Sequence, residues 1–150
     1  MTHPLTVAAL YAERKAKQEE AMREAQQARQ EETRLHDEDH LLFMNRKLTE
    51  EDKADFNKRI SNGFRWRERE AQIFTFPSDY CPDQGRRINH ALPGWEQQLV
   101  GYAGEIYHYW ESELKPGGFG LNARIVNFND GMPGDVGLFI TWPDELAFGE

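Results

Sequence analysis

The residues best suited to chemistry lie close together in one segment, between Ser78 and His90. A thiol, carboxylates, guanidiniums and an imidazole are supplied there by Cys81, Asp79, Asp83, Arg86, Arg87 and His90. A thiol beside a histidine base could act as a nucleophile, which makes Cys81, His90 and Asp79 the catalytic candidates. No signature of a cysteine hydrolase surrounds Cys81, and a lone cysteine most often packs as a small apolar side chain.

The paired guanidiniums of Arg86 and Arg87 suggest a second role for the same segment. Such a pair could bind a phosphate or a carboxylate, so both residues are binding candidates. The plainer interpretation is that they form salt bridges with the neighbouring aspartates of the segment. The sequence leaves both interpretations open.

Two other sets of side chains have metal-ligand chemistry. Asp130 and Asp135 flank a turn, and with the aspartates of the first segment they could bind Mg²⁺ or Ca²⁺. Their spacing is not that of a calcium-binding loop, and turns also require aspartate and glycine. His36 and His40 are spaced to lie on one helical face, as metal ligands often do, but other ligands would have to come from elsewhere. We therefore expect turns and a solvated helix, with no metal and no cofactor.

A second group of binding candidates lies on the surface of the acidic part of the chain. The run from Tyr102 to Trp110 is aromatic enough to suggest stacking on nucleic acid, but the charge around it is negative. We expect Tyr102 and Trp110 to belong to the core. The surface candidates are Tyr107, Glu105, Glu111, Asp130 and Asp135.

The elements that must position these groups differ between the two parts of the chain. The protein has 150 residues, with 18 Lys and Arg, 26 Asp and Glu, and a net charge of -8. Seven of these eight negative charges lie after Gln72, where the chain has 4 basic and 11 acidic residues. This balance argues against nonspecific DNA binding, and one cysteine excludes a disulfide framework. No apolar run is long enough to span a membrane, and the first residues lack the pattern of a secretory signal.

The first part, residues 1–63, predicts a charged helical arm or helical hairpin. Glycine and proline are absent from Leu5 to Asn45, and opposite charges recur at helical spacing, as in Glu13 and Lys17. Large apolar residues are too sparse for a well-supported coiled coil, so a helix that docks on a partner fits equally well. Thr49 can cap a second helix, predicted from Glu50 to Ile60 and ending at Asn62–Gly63.

The second part, residues 64–150, predicts a compact acidic α+β domain with the order β-α-β-β. The predicted elements are a strand at Gln72–Phe76, a helix at Trp95–Leu114, and strands at Leu121–Phe128 and Val136–Trp142. A change of phase in the alternation predicts a β-bulge near Ile125. We expect a three-stranded sheet with the helix across one face, and the arm or a second copy across the other.

Three functions fit this organisation. The first is a noncatalytic protein–protein interaction or assembly protein that binds a partner through the helical arm and the acidic domain, a role suited to a phage or mobile element. The second is an acidic inhibitor that mimics nucleic acid and blocks a nucleic-acid-binding host protein. The third is a small enzyme that uses the 78–90 loop. The partner we expect is a protein, a second copy of the chain or both, in the cytoplasm. We expect neither direct binding of nucleic acid nor a membrane.

Overall fold

The computed structural model describes residues 4–144 and confirms the α+β fold class. The helices are α1 (Val7–Asn45), α2 (Glu50–Arg65), α3 (Arg86–Asn89) and α4 (Gly101–Tyr109). The strands are β1 (Glu70–Pro77), β2 (Gly120–Ile125), β3 (Phe128–Asn129), β4 (Met132–Pro133) and β5 (Asp135–Thr141). None of the helices in the described residues is long and apolar enough to cross a membrane.

Contacts within the chain divide it into two units, Met1–Leu41 and Leu42–Glu150. The first unit is helical, and every side chain from residue 4 to residue 35 is exposed. Ion pairs along the helix, such as Lys17 with Glu13 at 3.4 Å, follow the predicted helical spacing. These pairs and the alanine-rich composition are the sources of helix stability within this stretch, because none of its side chains is buried.

The second unit begins earlier than the predicted domain boundary between residues 63 and 64. Phe43, at the end of α1, is buried against the rings of Phe76 and Tyr80, with centroids 5.2 and 4.8 Å away. Phe56 and Ile60 of α2 belong to the same core. The three side chains make residues 42–63 part of the compact unit, because their apolar surface is buried there.

The sheet is antiparallel, with the strand order β1-β5-β2. Val136, Leu138 and Ile140 alternate along the central strand and are completely buried, as the sequence pattern predicts for one face. The predicted bulge near Ile125 is wrong, since β2 keeps a regular register with β5 and ends at that residue. The register shift lies instead in β1, between Gln72 and Phe74.

The opposite face of the sheet carries polar side chains around Phe139. Gln72 and Asn122 flank this ring on the neighbouring strands, and both are exposed. The guanidinium of Arg124 lies 3.6 Å from the centre of the ring and donates to Glu70 at 2.9 Å, which leaves Phe139 only 5% exposed. A cation stacked on an aromatic face both covers and stabilises it, so this face needs neither the arm nor a second copy to bury it.

The predicted continuous helix from Trp95 to Leu114 is wrong at its start. Residues 95–98 form a short 3₁₀ segment, Leu99 and Val100 are extended, and α4 begins at Gly101. Gly101 has a φ of +59°, and a Cβ there would lie 2.8 Å from Cα of Met44. Close packing against the end of α1 therefore requires glycine and a break in the chain direction at this point.

The hairpin between β2 and β5 is longer than predicted. β3 and β4 pair with each other and continue it to a tip at Asp130 and Gly131. These two residues have φ values of +49° and +79°, which is the geometry of a type I′ turn. Aspartate and glycine adopt these values readily, so the turn chemistry of the sequence explains the tip.

Candidate functional site

Cys81 is buried at the start of the 78–90 loop. Its side chain is 2% exposed, and burial, followed by the charges of Asp83 and Asp79, raises the pKa of the thiol to about 12. The thiolate is the nucleophilic form of cysteine, and it is therefore strongly disfavoured near neutral pH. His90 is exposed, and no hydrogen bond joins it to Cys81 within the described residues. The geometry does not form a thiol–imidazole pair.

The loop is held in place by main-chain and side-chain hydrogen bonds. The hydroxyl of Ser78 donates to the carbonyl of Pro133 at 3.1 Å, which ties the loop to the hairpin. Asp83 accepts from the backbone N–H groups of Gly85 and Arg87, both at 3.0 Å, and so caps the short helix α3. These contacts give the carboxylate of Asp83 a structural role.

The two arginines of the loop have different surroundings. Arg87 lies 3.9 Å from the carboxylate of Asp83 and donates to the carbonyl of Pro93 at 2.8 Å. Arg86 is exposed, and no carboxylate pairs with it among residues 4–144. The guanidinium of Arg87 is thus committed to the loop itself, and the two arginines do not form a joint anion clamp.

The carboxylates proposed as cation ligands lie in the β2–β5 hairpin and in the 78–90 loop. Asp130 is exposed at the hairpin tip, and Asp79 is exposed in the 78–90 loop. Asp135 accepts from the amide of Asn127 at 3.0 Å, and its own N–H donates to the oxygen of the same amide at 2.9 Å. His36 and His40 lie in the first unit, each half-buried. In the described part of the chain, no three His, Cys, Asp or Glu side chains are grouped to hold a metal ion.

Acidic side chains of α4 and of the segment after it, including the binding candidate Glu105, have nearby lysine or tyrosine partners. Glu105 lies 3.5 Å from Lys47, and Glu113 lies 3.2 Å from Lys53. A hydrogen bond to the carboxylate of Glu111 raises the pKa of the Tyr107 hydroxyl. A nucleic-acid mimic needs an unneutralised row of negative charge, and these pairs reduce the charge that α4 and the segment after it present.

The end of α2 carries a feature that the sequence interpretation passed over. Two exposed aromatic side chains alternate with arginines in Phe64-Arg65-Trp66-Arg67, which we call the aromatic-basic turn. Trp66 is 81% exposed and Phe64 is 64% exposed. The edge of the Phe64 ring meets Trp142, with centroids 6.0 Å apart, and the indole N–H of Trp142 donates to the carbonyl of Glu68 at 3.0 Å. This support holds the turn against the sheet.

The backbone of the aromatic-basic turn ends α2 with a Schellman motif. The N–H of Glu68 donates to the carbonyl of Gly63 at 2.9 Å, and the N–H of Arg67 donates to the carbonyl of Phe64 at 3.1 Å. Arg67 has a φ of +60°, at a position that glycine usually occupies. The arginine side chain is therefore displayed at some cost in backbone strain.

Sequence signals for this turn were present in the composition. Residues 58–69 contain five basic residues and one acidic residue, a net charge of +4 in a chain whose total is -8. The segment crosses the predicted boundary between residues 63 and 64, so neither part of the chain showed the cluster by its average charge. Comparisons with protein-family models, curated proteins and solved structures found no match to this chain.

Proposed function

We propose that the protein is a noncatalytic assembly protein whose helical arm, α1, binds a protein partner or a second copy of the chain. The observation that carries the proposal is the exposure of every side chain from residue 4 to residue 35. The proposal places this binding in the cytoplasm.

A helical stretch as long as residues 7–35 that buries no side chain is only marginally favourable in water. Most helical stability in proteins comes from packing of an apolar face, and propensity and charge pairs add a few tenths of a kcal/mol each. Val7, Leu10 and Tyr11 at the start of α1 are all exposed. A partner that covers this end would stabilise the helix and remove apolar surface from water.

One face of the helix is the best candidate for the contact. A depression on its surface is lined by Leu10, Arg14, Lys17, Ala21 and neighbouring residues. Leu10 and Ala21 lie on one side, since they are about three helical turns apart. Small and apolar residues on one side allow another helix to approach closely.

The test compares two double variants of the full chain that add equal negative charge. Leu10→Glu with Ala21→Glu alters the proposed face, and Ala12→Glu with Gln30→Glu alters the opposite face. We expect the first pair to reduce self-association measured by light scattering, or recovery of a co-purifying protein from the native cell. The control pair should behave like the unaltered protein.

The proposal also specifies what would contradict it. If the unaltered chain is a monomer at all concentrations, and the same proteins are recovered with both double variants, the arm is not a binding element. An enzyme that uses the 78–90 loop has no comparable support, because Cys81 is buried and unpaired with His90.

A further inference from the structure

The aromatic-basic turn lies in a short segment, residues 58–69, that concentrates positive charge on an otherwise acidic molecule. Residues 58–69 carry +4, so the rest of the chain carries -12. Two of the basic residues are already paired, Arg59 with Asp55 at 3.0 Å and Arg69 with Asp144 at 2.7 Å. The remaining three, Lys58, Arg65 and Arg67, have no carboxylate partner within residues 4–144 and are exposed.

These cations lie near the exposed Trp66 along the chain. Lys58 and Arg65 are seven residues apart in α2, which places them on the same side of the helix. Trp66 and Arg67 follow directly in the turn. A large aromatic side chain that is 81% exposed contributes little to folding, and its flat face remains available to a ligand.

We propose that the aromatic-basic turn binds single-stranded nucleic acid, with Trp66 stacking on a base and Lys58, Arg65 and Arg67 contacting phosphates. A single strand alternates flat bases with negative phosphates, and the turn alternates flat rings with positive guanidiniums. Stacking of bases on aromatic side chains beside cations is the general mode of sequence-tolerant single-strand binding. This site is separate from the proposed assembly role of α1.

An acidic protein segment is the competing class of ligand, and the aromatic groups favour nucleic acid over it. A carboxylate-rich peptide satisfies the three cations but offers no flat surface for both Phe64 and Trp66. The average charge of the chain argues against nonspecific DNA binding, but phosphate contacts depend on local charge. The acidic surroundings are screened beyond about 8 Å at physiological ionic strength.

Arg67→Gly is the variant that best separates a binding role from a structural role. The left-handed conformation of Arg67 favours glycine, so Arg67→Gly should leave the urea midpoint of unfolding unchanged or raise it. A residue with only a structural role would lower both stability and binding when replaced. We expect Arg67→Gly to weaken binding without loss of stability, because it removes a phosphate contact.

The experiment measures fluorescence anisotropy of labelled probes with the full chain. The probes are a short oligothymidylate, a short oligouridylate, duplex DNA of the same length and a glutamate-rich peptide. For the single strands we expect the logarithm of the association constant to fall with the logarithm of salt concentration with a slope of about -2, from three phosphate contacts. Trp66→Ala should weaken their binding by about 5- to 150-fold, the range for losing one stacked base.

Matched control variants remove an exposed ring or an exposed cation from other parts of the chain. Phe128→Ala removes another exposed ring, at the hairpin, and Arg23→Ala removes an exposed cation of α1, and both should bind like the unaltered chain. Arg67→Gly should reduce the salt slope by about 0.7. The proposal is overturned if neither single strand binds at low salt, or if Trp66→Ala and Arg67→Gly bind as tightly as the controls. Equal binding of duplex DNA overturns the stacking role, and equal binding of the peptide assigns the site to acidic proteins.

Discussion

Cys81 shows how burial changes the chemistry of a single residue. In the sequence its thiol lies among charged groups and suggests a nucleophile. In the folded chain it is 2% exposed and its pKa is raised to about 12, mainly because burial disfavours the charged form. Arg124 shows that a charged side chain can also serve packing, since its guanidinium stacks on the ring of Phe139 and covers it. Cys81, which looks reactive in the sequence, therefore serves the packing of the domain.

We expect the folded protein to resist alkylation of Cys81 by iodoacetamide near neutral pH, and the urea-unfolded protein to react readily. Mass spectrometry of samples quenched at intervals measures both rates. Rapid labelling of the folded protein would show that the thiol is accessible and ionised, contrary to its burial.

The raised pKa of the Cys81 thiol also predicts how the stability of the protein changes at high pH. In the unfolded chain the thiol ionises near its ordinary pKa of 9.0, whereas the folded chain keeps the proton up to about 12. The contribution of Cys81 is therefore fully present below pH 9.0 and is lost as the pH rises toward 12. Urea unfolding should show the stability difference between the unaltered chain and Cys81→Ala unchanged below pH 9.0 and shrinking as the pH rises from 9.0 toward about 12.

The two ends of helix α2 are set by different hydrogen-bonded motifs. Thr49 and Asp52 form a reciprocal capping box, with the side chain of Thr49 accepting from the N–H of Asp52 at 3.1 Å. The N–H of Thr49 donates in return to the carboxylate of Asp52 at 3.2 Å. At the other end Gly63 does not stop the helix, because the chain continues to Arg65 and closes through the aromatic-basic turn. The start was predictable from a local motif, and the end was not.

Thr49→Ala should lower the free energy of unfolding by about 1 kcal/mol, because it removes the acceptor for an otherwise unpaired N–H at the helix start. Ser61→Ala is the matched control, an exposed position within the same helix where alanine has the higher helix propensity. Urea denaturation followed by circular dichroism compares the two variants. Equal midpoints would mean that the capping box contributes nothing to the stability of the unit.

At the scale of the whole molecule, the position of the core decides what can fold alone. The core cluster begins at Phe43 and includes Phe56 and Ile60, so it contains residues from the part that the sequence assigned to the arm. The sequence assignment followed composition and charge, which change gradually along the chain. The contacts follow apolar surface, which is buried from Phe43 onward.

We expect a chain that begins at Leu42 to unfold cooperatively in urea, with nearly the midpoint of the full chain. A chain that begins at Phe64 lacks three core side chains, and losing each one costs about 2–5 kcal/mol. The sum is comparable with the ~5–15 kcal/mol stability of a typical domain, so this shorter chain should not unfold cooperatively. Cooperative unfolding of the shorter chain would restore the boundary after residue 63.

The amino-acid sequence by itself determined the order of the long helices and of the three strands of the main sheet, and the face of the central strand that is buried in the core. These properties depend on local propensity and on the alternation of apolar residues, as in Val136, Leu138 and Ile140. The break before Gly101, the bulge in β1 and the burial of Cys81 were decided only by the tertiary structure. Each depends on which atoms approach from a distant part of the chain, as Met44 approaches Gly101. The exposure of Trp66 was also decided by the tertiary structure, because a side chain is exposed only where the rest of the fold leaves it uncovered.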